Sequence, residues 1–190
     1  MKNLSVMLLL IVVIFCFAGC DSGNGGVSAA AKPPENGWAL ETFNEVFQMN
    51  GQKIKLPLML SSLGEGYEIR DKRYNDEESV DRDIVGGCLY YNDELVSLIT
   101  FYESDGDAEF LTMLFSPLIY DDEQDYSEYI KINGFGLKNN ISDMYDCLGN
   151  SFTNENGIII YTIENSNYIL EIPDVDEGFG IYIKRKGNYR

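Results

Sequence analysis

Two of the four cysteines, those well beyond the apolar start of the chain, and a surplus of carboxylates are the side chains best suited to chemistry. There is no histidine among the 190 residues, so the commonest general base and the commonest zinc ligand are both missing. Ser-His and Cys-His nucleophilic systems are thereby excluded. Cys88 and Cys147 could close one disulfide in an exported domain. They could equally remain buried free thiols, since cysteine packs well as a small hydrophobe and Leu89 and Leu148 beside them read as core. The carboxylates offer two further chemistries. Asp174-Val175-Asp176-Glu177-Gly178 has the look of a calcium loop, but an EF-hand needs a glutamate at its twelfth position and Arg185 stands there. Asp105-Gly106-Asp107 likewise places Ser116 at that position, so neither stretch is an EF-hand and no metal site is assigned. A looser calcium site on Asp121, Asp122, Glu123 or Asp125 competes with the plainer reading of solvated acidic turns. Paired carboxylates can hydrolyse glycosides, yet none of the 31 acidic residues sits in a recognisable pair. No glycine loop suited to phosphate appears, no catalytic residue is assigned, and the sequence calls for no cofactor.

The clearest instruction lies at the start. Lys2 is followed by an apolar run of about 15 residues, Leu4 to Ala18, shorter than the roughly 20 that span a bilayer. Phe17-Ala18-Gly19-Cys20 closes the run. This layout resembles the signal peptide and lipobox of bacterial lipoproteins, with Phe17 where leucine is usual. The resemblance implies cleavage between Gly19 and Cys20 and a diacylglyceryl thioether on Cys20. It places the mature chain on the outer side of a cell membrane, held by lipid. Two acyl chains suffice for stable anchoring, at about 0.8 kcal/mol per buried methylene. The alternatives are an ordinary signal peptide in which Cys20 is incidental, and an uncleaved anchor.

Removing residues 1–19 leaves roughly 170 residues, enough for one domain or two small ones. With 13 Tyr and 10 Phe the chain can build a substantial core. Its formal charge of −17 opposes nucleic acid, which wants a basic patch, and anionic lipid surfaces. Residues 20–37 comprise Cys20 and a Gly-, Ser-, Ala- and Pro-rich tether.

Beyond the tether the patterning predicts an α+β domain with antiparallel sheets and short helices. Trp38 to Met49 and Gln52 to Leu56 flank Asn50-Gly51, a dipeptide suited to a type I′ hairpin turn, and Pro57 ends the second strand. Leu58 to Leu63 predicts one helical turn stopped at Gly64. Arg70 to Asp83 is charged and reads as a surface loop. Cys88 to Tyr91 and Leu95 to Tyr102 predict a second hairpin around Asn92-Asp93-Glu94; Phe110 to Phe115 and Tyr126 to Ile132 predict further strands. Ile141 to Gly149 is the clearest helix, with Ser142 as N-cap and Met144, Tyr145 and Leu148 on one face. Strands over Ile158 to Ile163, Tyr168 to Ile172 and Phe179 to Lys184 complete the chain.

Asn-Gly and Leu-Gly recur at a spacing of about 84 residues, at Asn50-Gly51 and Asn133-Gly134, and at Leu63-Gly64 and Leu148-Gly149. This predicts two tandem related units, a first β-rich unit over 38–118 and a second α+β unit over 119–190. The capped helix, Leu-Gly stop and meander of residues 130–186 resemble β-lactamase-inhibitor-like proteins, small outer-membrane-assembly lipoproteins and uncharacterised lipoproteins of Gram-positive bacteria. That resemblance carries no functional residues; it implies binding to proteins or service in an assembly. The tyrosines at 90, 91, 102, 120, 126 and 129 could supply a binding face or serve as half-buried sheet residues. The expected function is a lipid-anchored, non-catalytic module that binds a protein or envelope component. The alternatives are a small-molecule or calcium-binding accessory lipoprotein and a carboxylate-dependent envelope hydrolase.

Overall fold

The computed structural model describes residues 31–74, 84–121, 123–173 and 180–187, without the side chains of Tyr74 and Ser104. The expected signal peptide, Cys20 and most of the tether lie outside the described residues, as do Asp122, Phe179 and the Asp174 to Gly178 stretch.

In chain order the elements are β1 (Trp38–Ala39), α1 (Leu40–Val46), β2 (Phe47–Met49), β3 (Gln52–Lys53), α2 (Leu60–Leu63) and β4 (Tyr67–Tyr74). Then come β5 (Ile84–Tyr91), β6 (Glu94–Ser104), β7 (Asp107–Phe115), a 3-10 turn at Pro117–Ile119, β8 (Lys131–Ile132) and β9 (Phe135–Gly136). The last are α3 (Ile141–Leu148), β10 (Thr153–Glu155), β11 (Ile158–Glu164), β12 (Tyr168–Pro173) and β13 (Ile181–Arg185). The α+β expectation holds: long antiparallel strands dominate and the helices are short.

The strands form two sheets. The large one runs β11-β12-β13-β7-β6-β5-β4, with β10 antiparallel and β1 parallel to β11 at its other edge. The small one runs β3-β2-β8-β9. Both orders are palindromes in chain direction: β10 to β13 meet β7 to β4 across the β13–β7 pair, and β3-β2 meet β8-β9 across β2–β8. Strands from both sides of residue 118 therefore share each sheet, and one hydrophobic core serves both halves. All three helices and the small sheet lie on one side of the large sheet. There Phe43, Leu63, Met144 and Leu148 meet Phe101, Phe110, Tyr161 and Ile183, all essentially inaccessible to solvent. No helix among the described residues is long and apolar enough to cross a membrane.

Several expectations change. Leu40–Val46 is a helix where a strand was expected; only Phe47–Met49 keeps the strand form before the Asn50-Gly51 turn, whose residues are both at positive φ. The segment satisfied both periodicities, and helical spacing wins because it buries Phe43 against Phe47, with ring centres 5.4 Å apart. Strand β3 stops at Lys53, before Pro57. The charged residues from Arg70 to Tyr74 continue β4, and residues 75–83 lie outside the described residues. An edge strand tolerates such charge because its outer side chains stay solvated and its free edge is protected from pairing. A bulge between Arg70 and Arg73, with Asp71 at φ 54°, breaks the register there. The strand expected from Tyr126 shrinks to Lys131–Ile132 because Tyr126 and Tyr129 close around Tyr120 instead.

Helix α3 is capped by Asn140, not Ser142: the Asp143 carboxylate accepts the Asn140 N–H at 3.1 Å. Cys147 takes the buried place expected for Tyr145, which is exposed. The helix end is tied into the core. Trp38 donates its indole N–H to the Leu148 carbonyl at 3.1 Å, and the Tyr161 hydroxyl donates to the Gly149 carbonyl at 2.8 Å, satisfying carbonyls a helix terminus leaves open.

Residues 31–37, expected as free tether, are attached to the domain. Asn133, 1% exposed, accepts the Ala31 N–H at 2.8 Å and donates to the Ala31 carbonyl at 2.7 Å. It also donates to the Cys147 carbonyl at 2.7 Å. One buried side chain thus fixes where the chain enters, on the helix-bearing side of the large sheet.

Candidate functional site

Alternation along each strand of the large sheet sends one set of side chains into the core and the next to the opposite face. In β12, Tyr168, Leu170 and Ile172 are buried, while Ile169 and Glu171 turn outward and are half-buried. In β11 the outward set is Ile158, Ile160 and Thr162. In β13 it is Tyr182 and Lys184, opposite Leu114 and Thr112 of β7. Leu98, Thr100 and Tyr102 follow on β6, then Cys88 and Tyr90 on β5. No described helix and no strand of the small sheet covers this face. It spans eight strands at about 4.8 Å each and about three outward residues per strand, roughly 600–700 Å², close to the ~800 Å² each partner gives to a standard protein interface.

The chemistry of the face is mixed. Its middle is aliphatic and aromatic, with Leu98 at 36% exposure among its most accessible apolar groups. Around this lie ion pairs: Lys184 with Glu171, and Arg70 with both Glu68 and Asp93. Two cations also sit over rings of the face, Arg70 4.6 Å from Tyr90 and Lys184 4.9 Å from Tyr182.

At one end the face runs into a cleft of about 680 Å³, where the β5–β6 turn meets the loop after β7. Tyr90, Leu95 and Ile119 give it apolar walls; Asp93, Glu94, Asp121 and Glu123 give it charge. Gln124 ties the loop down by donating to the Leu95 carbonyl at 3.0 Å and to the Tyr129 hydroxyl at 2.5 Å. Tyr129 in turn donates to Glu94 at 2.9 Å. Burial, reinforced by Glu94, pushes the Tyr129 hydroxyl up to about 12, so it remains a donor. A second cavity of about 320 Å³ opens at another rim, between Pro57 and the Asn165–Asn167 turn, beside the Arg185–Glu109 pair at 2.8 Å.

Of the residues singled out by sequence, the structure separates more than it gathers. Cys88 and Cys147 stand as free thiols: Cys88 lies on the outer face of β5 and Cys147 in the core under α3. Of the two readings open for the pair, the free thiols hold and the disulfide does not form, because strand alternation and helix packing send the two to opposite sides of the sheet. Burial raises both thiols above the ordinary range, with nearby acids adding to it, which makes them poor nucleophiles at neutral pH. Asp107 fastens α2 to β7: one carboxylate oxygen accepts the Ser61 N–H at 3.0 Å and the other the Ser61 hydroxyl at 2.5 Å. The bond to Ser61 holds its carboxyl below the usual range. Asp125 pairs with Lys138 at 2.7 Å, and this pushes its carboxyl down to about 2. Among the described residues no three carboxylates or thiols converge as a metal site would require.

The tyrosines divide as well. Tyr90 and Tyr102 reach the open face; Tyr91 packs against Tyr67 in a tilted pair, ring centres 4.7 Å apart; Tyr120, Tyr126 and Tyr129 form a cluster inside the loop. The aliphatic part of the face, Ile158, Ile160, Ile169, Leu98 and Leu114, falls in segments that the sequence predicts only as strands, with no face assigned. The signal that could have found it is the unbroken run Ile158-Ile159-Ile160, since a half-solvated strand should alternate. Comparison with protein-family models, with curated proteins and with solved structures finds no match for this chain.

Proposed function

We propose that this chain is an extracytoplasmic lipoprotein, anchored through lipid on Cys20, whose α+β domain binds a protein or envelope component through the open face of its large sheet, without catalysis. The observation that carries the reading is the face itself: a full-width sheet surface with a half-exposed aliphatic and aromatic middle and an ionic surround. Such a surface matches a protein interface in size and composition better than it matches an active site. The attachment of Ala31 supports the orientation. Cys20 lies eleven residues before Ala31, a reach of at most about 40 Å, and Asn133 holds Ala31 on the helix-bearing side. An anchored domain would turn that side toward the membrane and the open face away from it.

We also propose that the domain is two related units in tandem. Supporting this, Asn50 and Asn133 share φ near 50°, Gly64 and Gly149 share φ 96° and 84° with ψ near −174°, and the strand orders are palindromic. Pairing two like units edge to edge makes one sheet twice as wide as either could form alone.

The test is capture from the producing cell's solubilised envelope by the intact protein, with calcium and with chelator, beside a Leu98→Glu variant. One envelope component retained stoichiometrically in both conditions and lost in the variant is expected. Retention that requires calcium, or survives the Leu98 change, would overturn the reading.

A further inference from the structure

Residues 31–37 lie on the domain as a bound peptide lies on a receptor. Ala31, Lys32, Glu35 and Asn36 are exposed and Pro33, Pro34 and Gly37 are half-buried, so this strap contributes nothing to the core. Among the described residues, the hydrogen bonds that hold it to the domain come from one side chain, Asn133. The Asn133 amide oxygen accepts the Ala31 N–H and its nitrogen donates to the Ala31 carbonyl, the pair of bonds that a neighbouring antiparallel strand makes to one residue. Its other amide hydrogen is committed to the Cys147 carbonyl, which fixes the orientation of the group, and Asn133 is almost wholly buried. This clasp is preorganised and reads backbone, so it is indifferent to the side chain of the residue it holds. Two residues on, the chain crosses Gly149 at the end of α3. A β-carbon at Gly149 would stand 3.2 Å from the Pro33 β-carbon and 3.6 Å from the Pro34 carbonyl oxygen, so the floor is bare where the two prolines pass. Consecutive prolines are already extended before they bind and lose little entropy on binding. The strap's ion pair, Lys32 with Glu35 at 3.1 Å, is internal to it and exposed, and owes nothing to the domain.

We infer that Asn133 and Gly149 form a clasp for an extended peptide of the form Ala-x-Pro-Pro, filled in this chain by its own residues 31–34 and open to the same kind of segment from a partner protein. The two compete for one site, so capture of the partner segment and release of the strap are one event. On the lipid-anchored reading, release lengthens the tether from Cys20 by up to seven residues, roughly 24 Å. The clasp does not rest on the open-face reading, since it lies on the helix-bearing side of the sheet. A tethered strap competes at an effective concentration on the order of millimolar, so the test weakens it first. The full-length protein, labelled with nitrogen-15 in zwitterionic micelles, is prepared as the parent and as Ala31→Pro, which lacks the N–H that Asn133 accepts. Each is titrated with the peptide Ala-Lys-Pro-Pro-Glu-Asn-Gly, acetylated and amidated. The variant is expected to bind it saturably, shifting the Asn133 side-chain amide and the Gly149 amide, at least about tenfold more tightly than the parent does. Exchanging both prolines of the peptide for glycine should weaken binding about tenfold. In the parent, the Ala31 amide should exchange with deuterium at least about tenfold faster than the core amides of Phe101 and Phe110, because the strap opens without global unfolding. No shift at Asn133 and Gly149 in a variant whose core amides stay protected, equal binding of the glycine peptide, or Ala31 exchange at the core rate would each overturn the inference. Dimers of the parent that exchange straps would place the ligand in a second copy and overturn the assignment to a partner protein.

Discussion

Replacing Asn133 should cost more than any other polar change in the described domain. Its side chain makes three hydrogen bonds, two to Ala31 and one to the Cys147 carbonyl, while almost wholly buried. At about 1 kcal/mol each these contribute roughly 3 kcal/mol. Asn133 also sits at φ 49°, where an alanine would add roughly 1 kcal/mol of strain. Asn133→Ala should therefore destabilise by about 4 kcal/mol, and Asn133→Gly, which tolerates the angle, by about 3. For a domain of this size that is a fall of roughly 8–15 °C in melting temperature. Thermal and urea melts of both variants measure the loss. Limited proteolysis measures the second consequence, cleavage between residues 31 and 37 at temperatures where the rest of the domain is still folded. A loss below about 1 kcal/mol in both variants, with residues 31–37 still protected, would refute the reasoning that one buried amide fixes the chain entry.

Leu98→Glu should leave the melting temperature within about 2 °C of the parent, since Leu98 is 36% exposed and apart from the core; a large fall would mean the face is structural. A Cys20→Ser change should abolish fatty-acid labelling and release the chain from membranes, and unchanged membrane retention would contradict the lipid anchor. Thiol titration should count Cys88 in the folded protein and Cys147 only after denaturation, with no effect of reductant on stability; a reductant-sensitive melt would restore the disulfide. Stability should fall in alkali. Burial raises Tyr67 and Tyr129 to about 12 and raises Tyr120 and Tyr161 as well. The folded state thus holds protons that the unfolded state releases above pH ~10. The contribution is complete below that pH and lost as pH climbs through the folded values. Tyrosinate absorbance should rise together with unfolding; titration of all tyrosines near pH 10 with the fold intact would contradict the burial.

Much of the fold was legible because local chemistry and tertiary packing agree there. Asn50-Gly51 turns with both residues at positive φ, and the meander after α3 follows its own alternation. Where the two conflict, sequence misled. Leu40–Val46 is short enough to satisfy strand and helix periods at once, and only the burial of Phe43 decides between them. Arg70 to Tyr74 lacks the apolar residues of a strand because it is an edge, and edge position is a property of the whole sheet. The open face was hidden for a related reason. Ile158, Ile160 and Ile169 look like core residues in sequence, and which side of a strand is covered depends on where the helices land. The cleft joins residues 90–95 to 119–124 through loop bonds from Gln124 and Tyr129 that no local motif announces. The wide sheet depends on β13 meeting β7, a pairing between distant segments that periodicity cannot supply.

The most direct test of the open-face account is site-specific photocrosslinking in the producing cells. A benzophenone amino acid is placed at Leu98 on the open face, or at Tyr145, which is 40% exposed on α3 on the opposite side. The account predicts one discrete protein adduct from position 98 and none from position 145. Adducts from 145 alone, or no adduct from 98 when the protein is lipidated and folded, would contradict it.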